Sequence, residues 1–240
     1  MKQQITKLAV FDIDGTIFRS SLVIELIAGL VGAGIFKKSV KREMEKEYLA
    51  WLERRGSYEA YINKAVQIYV RHIAGKNFSK VNKVARSVIG FHKDRVYRFT
   101  RDLIKQLKKQ SYLLAAISGS PSYIVRQYAK AIGFEVFFGT ELEVKNGRFT
   151  GKAKSLDSAF HKAKLVKNLT RKYPNINLKN SIAVGDTESD IQMLKLVGRP
   201  IAFNPNLQLA KQAKKMGWEI VVERKDVIYN LDKFSFRQTD

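Results

Sequence analysis

"KLAVFDIDGT", residues 7 to 16, decides the fold. Leu8 to Phe11 form a short apolar run containing Val and Phe, bounded by Lys7 and a glycine turn, the pattern of a buried strand. The run ends on Asp12, and Asp14 follows two residues later. Charge at the mouth of a buried strand is costly unless it is paired. The rest of the sequence has to supply the partner.

Further along, "YLLAAIS" (112–118), "EVFFG" (135–139), "SIAVGD" (181–186), "PIAFN" (200–204) and "WEIVV" (218–222) repeat the strand pattern. Helical patterns lie between them, over about 94–110, 121–133, 158–173, from 188 onward, and 206–216. "TELEVKNGRFTGKA" alternates around Asn146-Gly147, a strong hairpin signal. Strands alternating with helices predict a doubly wound, mostly parallel α/β sheet covered on both faces. Residues 20–92 break the alternation. They contain no proline, and apolar residues recur at helical spacing, as in "YEAYINKAVQIYVRHI". The expected organisation is an α/β core over 1–19 and 93–240, with a helical cap inserted at 20–92.

The 45% apolar content and 240-residue length suit a globular chain with a substantial core. The absence of cysteine excludes disulfides and thiolate metal sites. Motif-bearing sequence begins by residue 12, which leaves no room for a cleaved signal peptide, so a cytoplasmic location is expected. "LVIELIAGLVGAGIF" (22–36) is short of the ~20 residues that span a bilayer and contains Glu25, which favours a packed helix. A membrane-surface contact is the lesser reading, raised by the basic "KKSVKR" that follows.

The formal charge is +22, and residues 37–110 hold 20 Lys and Arg against 7 Asp and Glu. Such an excess favours anionic partners, among them phosphorylated substrates, nucleic acid and lipid head groups. A solvated face explains it equally well. Neither zinc-finger spacing nor a glycine-aromatic RNA-binding motif accompanies the charge, so it names no nucleic-acid or membrane partner.

In open parallel sheets, ligands bind beyond the carboxyl ends of the strands. Three predicted strands end there in polar clusters: Asp12 and Asp14; Ser118, Gly119 and Ser120; Asp186, Thr187 and Asp190. A helix bearing Lys162 and Lys164 precedes the last cluster. Four carboxylates in one place repel unless a cation joins them, and an oxygen-only donor set suits a hard ion such as Mg²⁺. A lysine, a serine hydroxyl and backbone amides can hold phosphate oxygens. The pattern points to phosphoryl transfer. One aspartate can attack phosphorus. A second, two residues on and facing the same way, can protonate the leaving alkoxide and then activate water. Gly15 permits a tight turn, and Thr16 is expected to hydrogen-bond within it.

In that order, "DIDGT", "SGSP", a spaced lysine and "GDTESD" resemble the haloacid dehalogenase superfamily, and within it the phosphoserine-phosphatase-like (subfamily IB) hydrolases. "FFGTELEVKNGRFTG" and "VGDTESDIQMLKLVGRPIAFNPNLQLAKQAKKMGW" are similar to that subgroup in detail. The resemblance implies a Rossmann-like core with a small helical cap and a Mg²⁺-dependent phosphatase acting on a small phosphorylated metabolite. It implies Asp12 as nucleophile and metal ligand, and Asp14 as general acid/base with its carbonyl on the metal. Ser118 and Gly119 match the phosphate clamp, Asp186 the direct metal ligand, and Asp190 the second acidic metal position. Lys162 is chosen as the phosphate lysine, with Lys164 as the alternative.

Each motif alone has an ordinary reading. "GDTESD" could start a helix, with Asp186 or Thr187 as its cap, and "SGSP" could be a turn. Their joint occurrence at strand ends favours chemistry. His72, His92 and His161 show no metal spacing. The chain also departs from phosphoserine phosphatases proper. The acidic residue that holds the substrate ammonium is replaced at the matching count by Ser21, with Glu25 one turn on, and Glu188 and Ser189 are atypical. The basic cap suggests a more anionic substrate than phosphoserine. Two alternatives remain: a phosphotransferase or mutase with the same site, and a basic nucleic-acid or membrane-binding module on a disused hydrolase fold.

Overall fold

A computed structural model describes residues 6–153 and 158–231. The first strand, β1 (Leu8–Asp12), is buried at all five positions. It pairs in parallel with β2 (Leu113–Pro121), Asp12 facing Ile117, and with β6 (Ile182–Gly185), Phe11 facing Val184. Strands β3 (Val136–Thr140), β7 (Arg199–Phe203), β8 (Glu219–Arg224) and β9 (Val227–Asn230) complete a seven-stranded sheet in the order β3-β2-β1-β6-β7-β8-β9. The chain starts in the middle and winds outward first one way and then the other. The reversal lies between β1 and β6, the kind of switch point where such sheets bind ligands beyond the strand ends.

β9 is an antiparallel edge strand outside the predicted set. It returns from β8 through Lys225-Asp226, with Lys225 at φ +55° and no glycine to announce the turn. The predicted hairpin forms a separate two-stranded sheet from β4 (Leu142–Lys145) and β5 (Arg148–Ala153), turning at Asn146-Gly147. The helix expected from residue 188 is a single 3₁₀ turn, Glu188–Asp190, followed by the short α9 (Ile191–Leu194).

The other helices are α1 (Leu22–Gly32), α2 (Val40–Glu43), α3 (Glu45–Leu52), α4 (Tyr58–Ile73), α5 (Phe78–His92), α6 (Arg98–Lys109), α7 (Ser122–Ala131), α8 (Ser158–Lys172) and α10 (Leu207–Met216). α4, α5 and α10 start where Ser57, Asn77 and Asn206 accept backbone N–H groups from their first turns. α6 lacks such a cap of its own. Glu223 of β8 accepts the N–H groups of Arg98 and Phe99 instead, placing a carboxylate on the positive end of the helix.

The chain divides into two compact units. One holds Met1–Ile17, Val96–Ile117 and Asp157–Asp240; the other holds Phe18–Arg95 and Ser118–Leu156. The second therefore carries α7, β3 and the hairpin together with the helical insert. Its interior explains why. Tyr69 of α4 and Tyr123 of α7 share a buried hydroxyl–hydroxyl hydrogen bond, and Phe78 and Phe149 pack edge-on or tilted against Tyr123. An aromatic cluster of this size contributes through apolar burial and ring geometry alike. No helix among the described residues is long and apolar enough to cross a membrane. α1, the most apolar segment, buries Leu22, Val23, Leu26, Ile27, Leu30 and Val31 as a packed helix does.

Candidate active site

The buried strand β1 ends on Asp12, which is 3% exposed. From α8, the Lys162 ammonium donates to Asp12 Oδ1 at 2.6 Å and to Asp190 Oδ1 at 2.6 Å. Lys162 is itself buried, whereas Lys164 is exposed. Here is the counter-charge that the strand mouth requires. Asp12 and Asp190 raise the affinity of Lys162 for its proton against the opposing cost of burial.

One cation does not balance this group of acids. Burial, followed by the neighbouring Asp190 and Asp14 charges, pushes the Asp12 carboxyl up to about 8, although Lys162 opposes the shift. Asp186 is driven well above the carboxylate range by burial first, then by Asp12 and Asp190. Asp12 Oδ2 is buried and accepts no hydrogen bond.

Gly15 and Thr16 bring the next strand end in. Gly15 has φ +87°, and a Cβ there would lie 2.1 Å from Asp186 Oδ2, so the turn requires glycine on both counts. The buried Thr16 hydroxyl donates to Asp186 Oδ1 at 3.0 Å. Only the Thr16 backbone N–H bonds within its own turn, to the Ile13 carbonyl. Thr16 thus hydrogen-bonds within its turn as expected, and its hydroxyl in addition holds Asp186, 170 residues away. Thr100 of α6 donates to the Thr16 carbonyl at 3.0 Å and fixes the turn from below.

The 186–190 loop bears out the capping reading of "GDTESD", at Thr187. Thr187 caps the 3₁₀ turn, with Asp190 as the reciprocal partner of a capping box. Asp190 Oδ2 accepts the N–H groups of Asp186 and Thr187, at 3.1 and 3.2 Å, while Oδ1 takes Lys162. Both Asp190 oxygens are thus occupied by protein donors. Ser189 lies 3.5 Å from the Lys162 ammonium and bonds Thr187, and Glu188 accepts from the Asn206 amide.

The structure thus gathers Asp12, Lys162, Asp186 and Asp190, with Asp14 close enough to act on Asp12 electrostatically. Ser118 and Gly119 belong to the second unit. Ser118 directly follows Ile117, the residue paired with Asp12. It is buried, and its Oγ accepts the Ser120 N–H at 2.9 Å. Gly119 is exposed, and its carbonyl accepts from Thr140. Thr100 and Ser189 were not singled out by sequence reasoning as site-holding residues.

Among the described residues no three His, Asp or Glu side chains form a ready-made metal-ligating group. A hard cation nonetheless fits what is present. The donors are all oxygen, and the buried acids Asp12, Asp186 and Asp190 outnumber the one lysine.

The model of the haloacid dehalogenase-like hydrolase family matches residues 9–195. The chain is a member of that family. A phosphoserine phosphatase of Archaeoglobus fulgidus is 30% identical over 199 residues, covering 82% of this chain and 52% of the relative. The chain thus spans about half the length of that relative. A phosphoserine phosphatase of Methanocaldococcus jannaschii is 26% identical over 222 residues, covering 92% of this chain and 94% of the relative. Among solved structures, a phosphoserine phosphatase with a phospho-aspartyl intermediate analogue has a TM-score of 0.63 at 24% identity, covering 93% of this chain and 96% of that one. A Bordetella pertussis protein of unknown function reaches 0.71 at 18% identity, covering 90% and 98%. These structures share the fold of this chain.

Proposed function

We propose that this chain is a Mg²⁺-dependent phosphomonoester hydrolase that works through an aspartyl-phosphate on a small phosphorylated metabolite. The observation that carries the reading is Asp12 Oδ2, a buried carboxylate oxygen with no hydrogen-bond partner, beside a lysine that holds the other oxygen in place. A nucleophile needs a lone pair that no donor occupies and a carboxylate that cannot turn away.

Asp12 and Asp186 are the side chains assigned to hold the cation, with the Asp14 carbonyl. When bound, the cation screens the carboxylates from the anionic substrate and polarises the phosphoryl oxygens. Asp12 Oδ2 attacks phosphorus, and the ester P–O bond breaks. Asp14 gives its proton to the leaving alkoxide. Asp14 then takes a proton from water, the water oxygen attacks phosphorus, and the aspartyl P–O bond breaks to release phosphate and restore Asp12. Lys162 favours the ionised form of Asp12 against the cost of burial and orients its carboxylate. Ser118 and the Gly119 amide are assigned to the phosphate oxygens. Asp190 is given a holding role, since its own oxygens are engaged.

Phosphoserine is disfavoured as the substrate. Ser21 offers no charge to an ammonium group, and Glu25 is taken up by Ser20 and Arg95, each at 2.7 Å, and by His92 at 3.3 Å. The test is phosphate release from a panel of phosphorylated metabolites and a generic aryl phosphate, with and without Mg²⁺, for the wild type and Asp12→Asn. Turnover that requires Mg²⁺ and falls by roughly 10⁴-fold or more in Asp12→Asn is expected. Absence of turnover on every ester, or turnover that survives Asp12→Asn, overturns the reading.

A further inference from the structure

Helices α1 and α5 leave an open groove of about 510 Å³ between them. Its floor is aliphatic and small: Ala28, Gly29 and Ala33 from the α1 side, Val84 and Val88 from α5. Phe91 stands at its rim with 85% of its surface exposed, the most exposed large apolar side chain among the described residues. Along α5, Lys80, Lys83, Ser87 and Phe91 follow one another at helical spacing and are all exposed. Arg86, Gly90 and Lys93 form the adjacent exposed row. No acidic residue occurs anywhere from Phe78 to Lys93. On the α1 side the one acid, Glu25, is 15% exposed and already paired with Arg95. Exposed Lys37 and Lys38 follow the end of that helix.

We propose that this α1/α5 face docks the protein on an anionic lipid surface, with Phe91 inserted at the head-group level and Lys80, Lys83, Arg86 and Lys93 on the lipid phosphates. The pairing of an exposed aromatic and an aliphatic floor with a one-sign basic rim is the chemistry of interfacial binding. Each cation near an anionic leaflet strengthens attachment about fivefold, and the apolar contact adds to that. A second copy of the chain is disfavoured as occupant, because two faces of the same sign repel within a protein of formal charge +22. Single-stranded nucleic acid is disfavoured because its binding platforms present several stacking rings. This groove is mainly aliphatic, and its two rings, Phe91 and His92, pack edge-on against each other rather than forming a run of stacking platforms.

The test is co-sedimentation of the full chain with vesicles of phosphatidylcholine alone and of phosphatidylcholine with phosphatidylglycerol in about equal parts. Binding to the mixed vesicles only, weakening as salt rises, is expected. Phe91→Ser should lower partitioning roughly tenfold. Lys80→Glu with Lys83→Glu and Arg86→Glu should lower it by about hundredfold or more. Lys108→Glu with Lys109→Glu, an exposed basic pair on α6, should leave it within about twofold, since the face and not net charge governs. Hydrolysis of a soluble ester should be unchanged in every variant, which separates failure here from failure of the catalytic reading. The proposal is overturned if neither vesicle binds, if the α6 pair matters as much as the α5 triple, or if Phe91→Ser has no effect. It is also overturned if a single-stranded oligonucleotide binds through Phe91 while vesicles do not.

Discussion

The end of β1 and the loop that follows β6 each place an aspartate 2.6 Å from the Lys162 ammonium, yet leave the two carboxylates in opposite states. Asp190 has every oxygen engaged: two loop amides on Oδ2 and the lysine on Oδ1. Asp12 has the lysine alone, and its second oxygen is bare. The difference comes from the backbone. The 3₁₀ turn at Glu188–Asp190 folds the 186 and 187 amides back onto the side chain that follows them, so that loop locks itself. The β1 loop spends its glycine and threonine on Asp186 instead. One loop satisfies its own carboxylate, the other end leaves an oxygen unpartnered, and a single buried lysine ties them together.

Removing the scaffold partner should therefore cost mainly stability. Asp190→Ala strips two amides of their acceptor and Lys162 of one counter-ion in a buried site. The expected loss is about 3–5 kcal/mol, read as a drop in the midpoint of denaturant unfolding. Asp190→Asn can still accept the amides and should lose less. If both variants unfold at the wild-type midpoint, the 186–190 loop is not the locked element described above.

Gly15→Ala attacks the junction between the loops. The new methyl group would collide with Asp186 Oδ2, and the +87° φ penalises any side chain. Strain of about 2 kcal/mol is expected. Displacement of Asp186 should also lower kcat on an aryl phosphate by roughly 10²-fold. Unchanged kcat at reduced stability would show that Asp186 need not sit against the turn, and would break the link between the two loops.

Much of this arrangement was legible in the sequence because it is local. "KLAVFDIDGT" shows a strand, its end and its turn within ten residues, and "GDTESD" carries both a capping box and the site acids. Lys162 followed from spacing once a resemblance was stated, and its burial separates it from Lys164. What could not be read depends on distant parts meeting. The hydroxyl of Thr16 finds Asp186 across 170 positions. The aromatic cluster that joins Ser118–Leu156 to the helical insert draws Tyr69, Phe78, Tyr123 and Phe149 from four separate elements. β9 turns on a lysine with positive φ, where local propensity argues against a hairpin. The occupied state of Asp190 depends on a 3₁₀ turn that "ESD" does not announce.

The mildest test isolates the hydroxyl between the loops. Thr16→Val keeps the shape of a fully buried side chain and removes the 3.0 Å bond to Asp186 Oδ1. The Thr100 hydroxyl donates to the Thr16 carbonyl, so the turn itself keeps its tether. The expected stability cost is about 1 kcal/mol. A freed Asp186 should weaken cation binding more than it weakens folding, so the Mg²⁺ concentration giving half-maximal activity should rise by roughly fivefold. Thr16→Ser restores a donor at the same place and should return that concentration toward the wild-type value. If valine and serine behave alike, the threonine is a packing residue and Asp186 is held by its own loop. The two loops would then meet only through Lys162.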